Sequence, residues 1–156
     1  MTANAYLMTS EQIAEAGISG SWAIGINDFV RSTDIDDYRH VNNAAYFRWF
    51  ENLRELYMHE LAQTHNNGQA VKHVVRKATI DYAAPLYIHD DYQTVARTDR
   101  VGRSSYHMVL EAWSGGTLRC SSTALMVAVD DEAQKSRAIP PAMRQVMIDR
   151  DGAVEI

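Results

Sequence analysis

A single cysteine, Cys120, stands in the 156-residue chain. No intrachain disulfide can form, and a reducing compartment is the expectation. Basic residues are in the minority: fifteen Lys and Arg against twenty Asp and Glu give a net charge of −5. A duplex-DNA binder is usually basic overall, so nucleic acid is disfavoured as a partner. No apolar run reaches the ~18 residues of a membrane span, so no membrane partner is expected. The stretch MTANAYLMTSEQIAEAG lacks the basic n-region and the continuous apolar h-region of a secretory signal. No GxGxxG, Walker A, HExxH or paired CxxC spacing occurs. Nucleotide-redox, phosphoryl-transfer and metal-site readings therefore have no motif behind them, and no metal is expected. The hydrophobic set is 46% and charged residues are 22%, an ordinary globular composition. The expectation is one soluble, cytoplasmic domain.

Punctuation along the chain organises it. Thr9 or Ser10 followed by Glu11-Gln12 opens a short helix that Gly17 closes. Residues 22–32 (WAIGINDFVRS) alternate loosely and predict a strand. Residues 44–62 are the clearest helix, with Tyr46, Trp49, Phe50, Leu53, Leu56, Tyr57 and Leu61 at helical spacings. The apolar stripe is wider than a coiled-coil seam, which predicts a helix wrapped by a sheet. Segments 70–83, 92–101, 104–113 and 117–129 are rich in Val, Thr, Tyr and Ile, and predict strands. Gly102-Arg103 and Ser114-Gly115-Gly116 are short connectors, which predict antiparallel hairpins. Pro140-Pro141 starts a C-terminal helix over AMRQVMI. Helix and strands are segregated, so the class is α+β with an antiparallel sheet. The division is an N-terminal tail with a short helix over 1–20, the main domain over 21–148 and a C-terminal tail over 149–156.

The informative stretch is Asp34-Ile35-Asp36-Asp37-Tyr38-Arg39-His40-Val41-Asn42-Asn43-Ala44-Ala45-Tyr46, with Glu51 and Arg54 beyond it. Asn42 or Asn43 suits a helix N-cap. Asp and Asn favour loops and caps in general, so an acidic N-capped loop without chemistry stays open. The functional alternative starts from position. Asp36 lies just upstream of a helix N-terminus, where unpaired amides carry partial positive charge. Such amides polarise a carbonyl and stabilise an oxyanion, while a nearby carboxylate serves as general base or nucleophile. Together these make a minimal acyl-transfer site.

The run D-x-Y-x-H-V-N-N-A-x-Y, followed by E-x-x-R, resembles the hotdog-fold thioesterases of the 4-hydroxybenzoyl-CoA and long-chain acyl-CoA type. Weaker matches continue through Ile80-Asp81-Tyr82, Pro85, Asp90, Gly102-Arg103-Ser104-Ser105, Val127 to Asp130 and Ile139-Pro140. The resemblance implies a hotdog fold, an antiparallel sheet wrapped around one long helix. It implies an acyl-CoA thioester hydrolase with no cofactor, coenzyme A being part of the substrate. Two-fold pairing of chains is implied too, giving a dimer at least, with a tetramer favoured, and active sites at the interface. Residue by residue, it places the catalytic carboxylate on Asp36 rather than Asp34 or Asp37, so substitution of the latter two should be far milder. His40, Asn42 and Asn43 would line or brace the catalytic loop, and the helix start from Asn43 through Ala44 and Ala45 to Tyr46 would receive the thioester carbonyl. Glu51 matches a family position of variable role, with an ion pair to Arg54 or Arg48 as the plain alternative.

Departures narrow the resemblance. Arg39 stands where many relatives have Gly, and the chain lacks a His at Asn43 and a Tyr at Ser32, so a His-assisted variant of the mechanism is not expected. An acidic chain also needs a local basic cluster to hold the phosphates of coenzyme A. Arg100 and Arg103, with Arg97, flank a hairpin turn and are the first candidates, with Arg76 and Lys77 second. An acyl-carrier-protein thioesterase, a hotdog hydratase or dehydratase, and a non-catalytic acyl-CoA-binding protein remain the alternatives.

Overall fold

The computed structural model describes residues 7–156; the first six residues of the expected N-terminal tail lie outside them. Helix α1 (Ser10–Glu15) has Thr9 as N-cap in a full capping box with Gln12. Strand β1 (Ile24–Phe29) leads through a 3-10 turn (Ser32–Asp34) into the long helix α2 (Asn43–His65). Four strands follow: β2 (His73–Tyr82), β3 (Asp91–Val101), β4 (Ser105–Ser114) and β5 (Thr117–Asp130). Two-residue β6 (Lys135–Ser136), α3 (Pro141–Asp149) and β7 (Val154–Glu155) complete the chain.

The sheet runs β1-β3-β4-β5-β2 and these neighbours are antiparallel. β1 and β2 stand at opposite edges, so α2 joins them by crossing the sheet's concave face. That is the hotdog fold. Burial alternates residue by residue along β4, with Tyr106, Met108, Leu110 and Ala112 facing the helix, the period-2 pattern of a sheet with one packed face. From α2, Tyr46, Trp49, Phe50, Leu53, Tyr57 and Leu61 fill the space above it. Each such side chain stabilises by roughly 1.5–3 kcal/mol on burial, and Leu53→Ala would leave a cavity worth about 2–5 kcal/mol. The β4–β5 hairpin turns on Gly115 and Gly116, whose φ values of 58° and 72° suit a primed turn.

Three boundaries differ from the sequence reading. The strand expected over 22–32 stops at Phe29, because the Asp34 carboxylate accepts the Arg31 N–H and pulls the chain into a 3-10 turn. The N-terminal segment packs rather than trails. Ile13 sits over Gly25, where an added Cβ would come within 2.9 Å of it, and Ile13, Ile18 and Val95 form a second small core. Residues 149–156 are likewise no free tail. β7 pairs in parallel with Arg100 and Val101 of β3, and Asp151 is buried beneath α2. A carboxylate is buried only where partners compensate it, and sequence spacing does not reveal those partners.

The two sheet edges are unlike. The Leu7–Ile26 bridge partly covers β1. Along β2 the residues from Val74 to Thr79 are exposed on both faces, Val74 and Val75 at 44% and 43%. No helix of the described residues is long and apolar enough to cross a membrane.

Candidate active site

The Asp34–Tyr46 segment forms a closed loop ending on a helix. Ile35 and Val41 bridge across its neck, the Asp36 N–H donates to the His40 carbonyl at 3.0 Å, and the Arg39 N–H donates to the Asp36 carbonyl at 3.0 Å. Arg39 at the turn has φ 65°, the left-handed conformation that favours Gly. The Val41 N–H donates to the Leu86 carbonyl at 2.9 Å, docking the loop on the β2–β3 connection. The half-buried Asp36 carboxylate accepts the Tyr38 N–H through Oδ1 at 2.9 Å; its Oδ2 has no hydrogen-bond partner among the described residues. His40 is exposed and meets Tyr87 edge to face at 5.5 Å between ring centres.

Helix α2 then begins under Asn42, the N-cap. Its Oδ1 accepts the Ala44 N–H at 2.8 Å and its carbonyl accepts the Ala45 N–H at 2.8 Å. The expected role of the helix start is thereby corrected. The amides of Ala44 and Ala45 are already satisfied, and the Ala45 side chain is buried in the core. The Asn43 N–H is the amide of this first turn left without a partner among the described residues.

A cleft of about 300 Å³ opens beside this amide, lined by His40, Val41, Asn43, Tyr46, Tyr82, Ala83, Ala84 and Pro85. Tyr46 and Tyr82 meet edge to face at 5.5 Å, and the Tyr82 hydroxyl donates to the Asn43 carbonyl at 3.3 Å. Burial raises the Tyr46 phenol well above the usual tyrosine range, so it stays neutral. Burial also pushes the Cys120 thiol up to about 12, which makes it an inert packing group rather than a nucleophile. The structure thus joins His40, Asn43 and Tyr46 in the lining of one cleft; Asp36 is not among the lining residues and is tied to them through its backbone bond to His40. The opposite wall, Tyr82 to Pro85, comes from the end of β2. Only the motif fragment Ile80-Asp81-Tyr82 and Pro85 hinted at it.

Other expected site residues lie elsewhere. Glu51 is exposed and borders a second cleft of about 300 Å³ with Asp28, Arg31, Asp34, Arg48, Trp49 and Tyr92. Of its two expected partners, Arg48 pairs with Asp34 at 3.3 Å instead, and Arg54 forms no ion pair with it among the described residues. Arg100 and Arg103 sit at the β3–β4 turn, Arg100 beside His107 at 3.3 Å. That is the far end of β3 from the loop, about nine strand residues or ~30 Å away. Within one chain they do not reach Asp36. Arg97 lies over Trp22 on the convex face. Basic side chains beside the cleft include exposed Arg39 and half-buried Arg119, whose Nη1 donates to the Pro85 carbonyl at 3.2 Å. Sequence reasoning passed over Arg119.

The model of the thioesterase-like superfamily matches residues 30–147, the span from this loop to α3. The chain belongs to the thioesterase-like superfamily. It is a hotdog-fold thioesterase, a hydrolase of thioester bonds. Its fold is shared along its whole length with a thioesterase superfamily protein from Jannaschia sp. CCS1, at TM-score 0.88 and 22% identity over 100% of each chain. A thioesterase from Thermus thermophilus, complexed with coenzyme A and Zn, matches 81% of this chain and 98% of its own at TM-score 0.67 and 23% identity. The PA5185 protein from Pseudomonas aeruginosa matches 86% of this chain and 96% of its own at TM-score 0.72 and 24% identity. No curated protein matches the sequence.

Proposed function

We propose that this thioesterase acts on acyl-CoA, of the 4-hydroxybenzoyl-CoA or long-chain acyl-CoA type, releasing free acid and coenzyme A. One observation carries the reading: Asp36, whose Oδ2 has no hydrogen-bond partner among the described residues, is tied by its backbone N–H to the carbonyl of His40, which lines one cleft together with Asn43, whose N–H also has no partner there. The acyl carbonyl oxygen lies on that amide, where the helix N-terminus favours negative charge. Asp36 takes a proton from water as the water oxygen attacks the carbonyl, or attacks the carbonyl itself to form an anhydride that water then hydrolyses; on either route the C–S bond breaks and coenzyme A leaves as the thiolate, which takes up a proton. Tyr46 and Tyr82 flank the acyl group. The coenzyme A held by the Thermus thermophilus protein of similar fold supports a nucleotide thioester as the substrate.

The working unit in this reading is a dimer. Among the described residues β2 leaves one edge unpaired and is exposed from Val74 to Thr79, and exposed edges invite pairing. Antiparallel pairing of two β2 edges sets the His73 end of one chain beside the Tyr82 end of its partner. At that end His73 Nε2, 3.5 Å from Glu55 Oε1, and the Tyr106 hydroxyl are buried without a hydrogen-bond partner among the described residues, beside half-buried Arg54. Arg100 and Arg103 could hold coenzyme A phosphates only across such an interface. Thiol release from a panel of acyl-CoAs and acyl-carrier proteins, together with light scattering, tests the proposal. Acyl-CoA hydrolysis by a dimer or tetramer is expected. Turnover of carrier-protein thioesters alone, or full activity in a 17.6 kDa species, would overturn it.

A further inference from the structure

We infer that Asp34 is a positioning residue for turnover, tying the catalytic carboxylate and the helix N-terminus to one buried point. The inference rests on the hydrolase reading of Asp36 and reverses the expectation that Asp34 is dispensable. Asp36 has hydrogen bonds only to Tyr38, Arg39 and His40, all within its own loop. Beyond the Val41 N–H bond to the Leu86 carbonyl, its place relative to Asn43 is therefore set by whatever fixes the two ends of that loop. Asp34 does this at both. Its Oδ2 accepts the Arg31 N–H at 3.0 Å and its own N–H donates to the Arg31 carbonyl at 2.9 Å, which forms the loop entry. Its carbonyl accepts the N–H of Asn42, the N-cap, at 2.7 Å, which fixes the exit. Its Oδ1 accepts from Arg48 Nη2 at 3.3 Å, one turn along α2.

The Asp34 side chain is 8% exposed and that of Arg48 is 55% exposed. The ion pair with an exposed Arg contributes little stability by itself. The geometric demand is stronger. Both carboxylate oxygens face donors, and no other side chain of that size offers two acceptor oxygens. In Asp34→Asn one position becomes an NH₂ turned toward either the Arg31 N–H or the Arg48 guanidinium. Turned to the Arg31 N–H, it sets two donors against each other at the buried loop entry and the loop must shift; turned to Arg48, it repels the exposed guanidinium and the tie to α2 is lost. A displacement of about 1 Å at the reacting groups costs up to 10²-fold in rate.

The experiment compares Asp34→Asn, Arg48→Met and the double variant on acyl-CoA. Asp34→Asn is expected to lower kcat by about 10–100-fold with KM changed less than about 3-fold, because an interaction that acts only on geometry in the transition state is lost. The acid limb of its pH–rate profile should stay in place, since Asp36 still carries the proton chemistry. Arg48→Met should show a smaller loss, and the double variant should be no worse than Asp34→Asn, as for two groups in one interaction. Hydrogen exchange at the Asp36 and Asn42 amides should quicken in Asp34→Asn. Wild-type kcat, a loss confined to KM, or additive losses in the double variant would overturn the inference. If Asp34→Asn does not fold, Arg48→Met, altered only at an exposed side chain, carries the same tests. If the wild type releases no thiol from any thioester, the hydrolase reading fails, and the exchange rates alone decide whether Asp34 fixes the loop.

Discussion

The two ends of α2 are built to opposite rules. At the C-terminal end every polar group in a buried cluster is matched. The Tyr57 hydroxyl donates to Asp151 at 2.5 Å and lies 2.7 Å from Thr98 Oγ1. Asp151 also accepts the Thr98 N–H at 3.0 Å and Arg150 Nε at 2.8 Å, and Arg150 reaches Glu60 at 2.8 Å. Burial, reinforced by the Asp151 charge, holds the Tyr57 phenol well above the usual tyrosine range. At the N-terminal end the polar groups are left incomplete among the described residues: Asn43, with an unpaired N–H, and exposed His40 line an open cleft, and Asp36, with an unpaired Oδ2, is bonded to His40. A saturated polar cluster fixes a structure and does nothing more. An unsaturated one leaves donors and acceptors for substrate. The same helix is locked at one end so that the other can stay open.

Substitutions can break that contrast. The largest effect expected is at the open end. Asp36→Asn keeps shape but removes the base, and thioester turnover should fall by roughly 10²-fold or more. Thermal unfolding should be unchanged, because no α2 or sheet group depends on that carboxylate. Equal turnover in the variant would remove Asp36 from the mechanism. At the locked end the outcome should invert. Asp151→Ala strips the partner from Tyr57, the Thr98 N–H and Arg150, and breaking a buried pair costs about 3–5 kcal/mol. Denaturant unfolding reads this loss, while kcat per folded molecule should stay within about 2-fold. A large fall in kcat without a fall in stability would show that the two ends are not separate.

The smallest effect sharpens the contrast at the β2 edge. Burial lowers the His73 pKa below 6.5, against the pull of Glu55 at 3.5 Å. Just below pH 6.5 the unfolded chain therefore binds more protons at this residue than the folded one. Stability then falls as pH drops through that window and levels off below the folded pKa. His73→Gln should flatten the dependence of Tm on pH between about 7 and 5. An unchanged slope would assign the acid sensitivity to other groups.

Much of this architecture was legible in the residues. The spacing from Tyr46 to Leu61 gave a helix within a few residues of Asn43–His65, because a buried helix face has to repeat at 3.6 residues. Gly115-Gly116 marked one hairpin because a short primed turn demands positive φ, while Gly102, which has no positive φ, marked the other only as a short connector. The Asp36 to Asn43 motif located the loop. What local pattern could not show was which donors stay free. Asn42 was readable as a cap, yet that its side chain and carbonyl occupy the amides of Ala44 and Ala45 depends on the fold of the turn.

Sequence by itself determined which segments have a face to bury, since periodicity is written in the order of residues. Tertiary structure alone decided which distant groups meet. Asp151 lies under Tyr57 across 94 positions, Tyr82 donates to Asn43 across 39, and Arg48 turns to Asp34 rather than to Glu51. Each of these is a short-range contact between polar groups far apart in the chain. Its free energy depends on distance and dehydration, quantities that exist only once the sheet has closed around the helix.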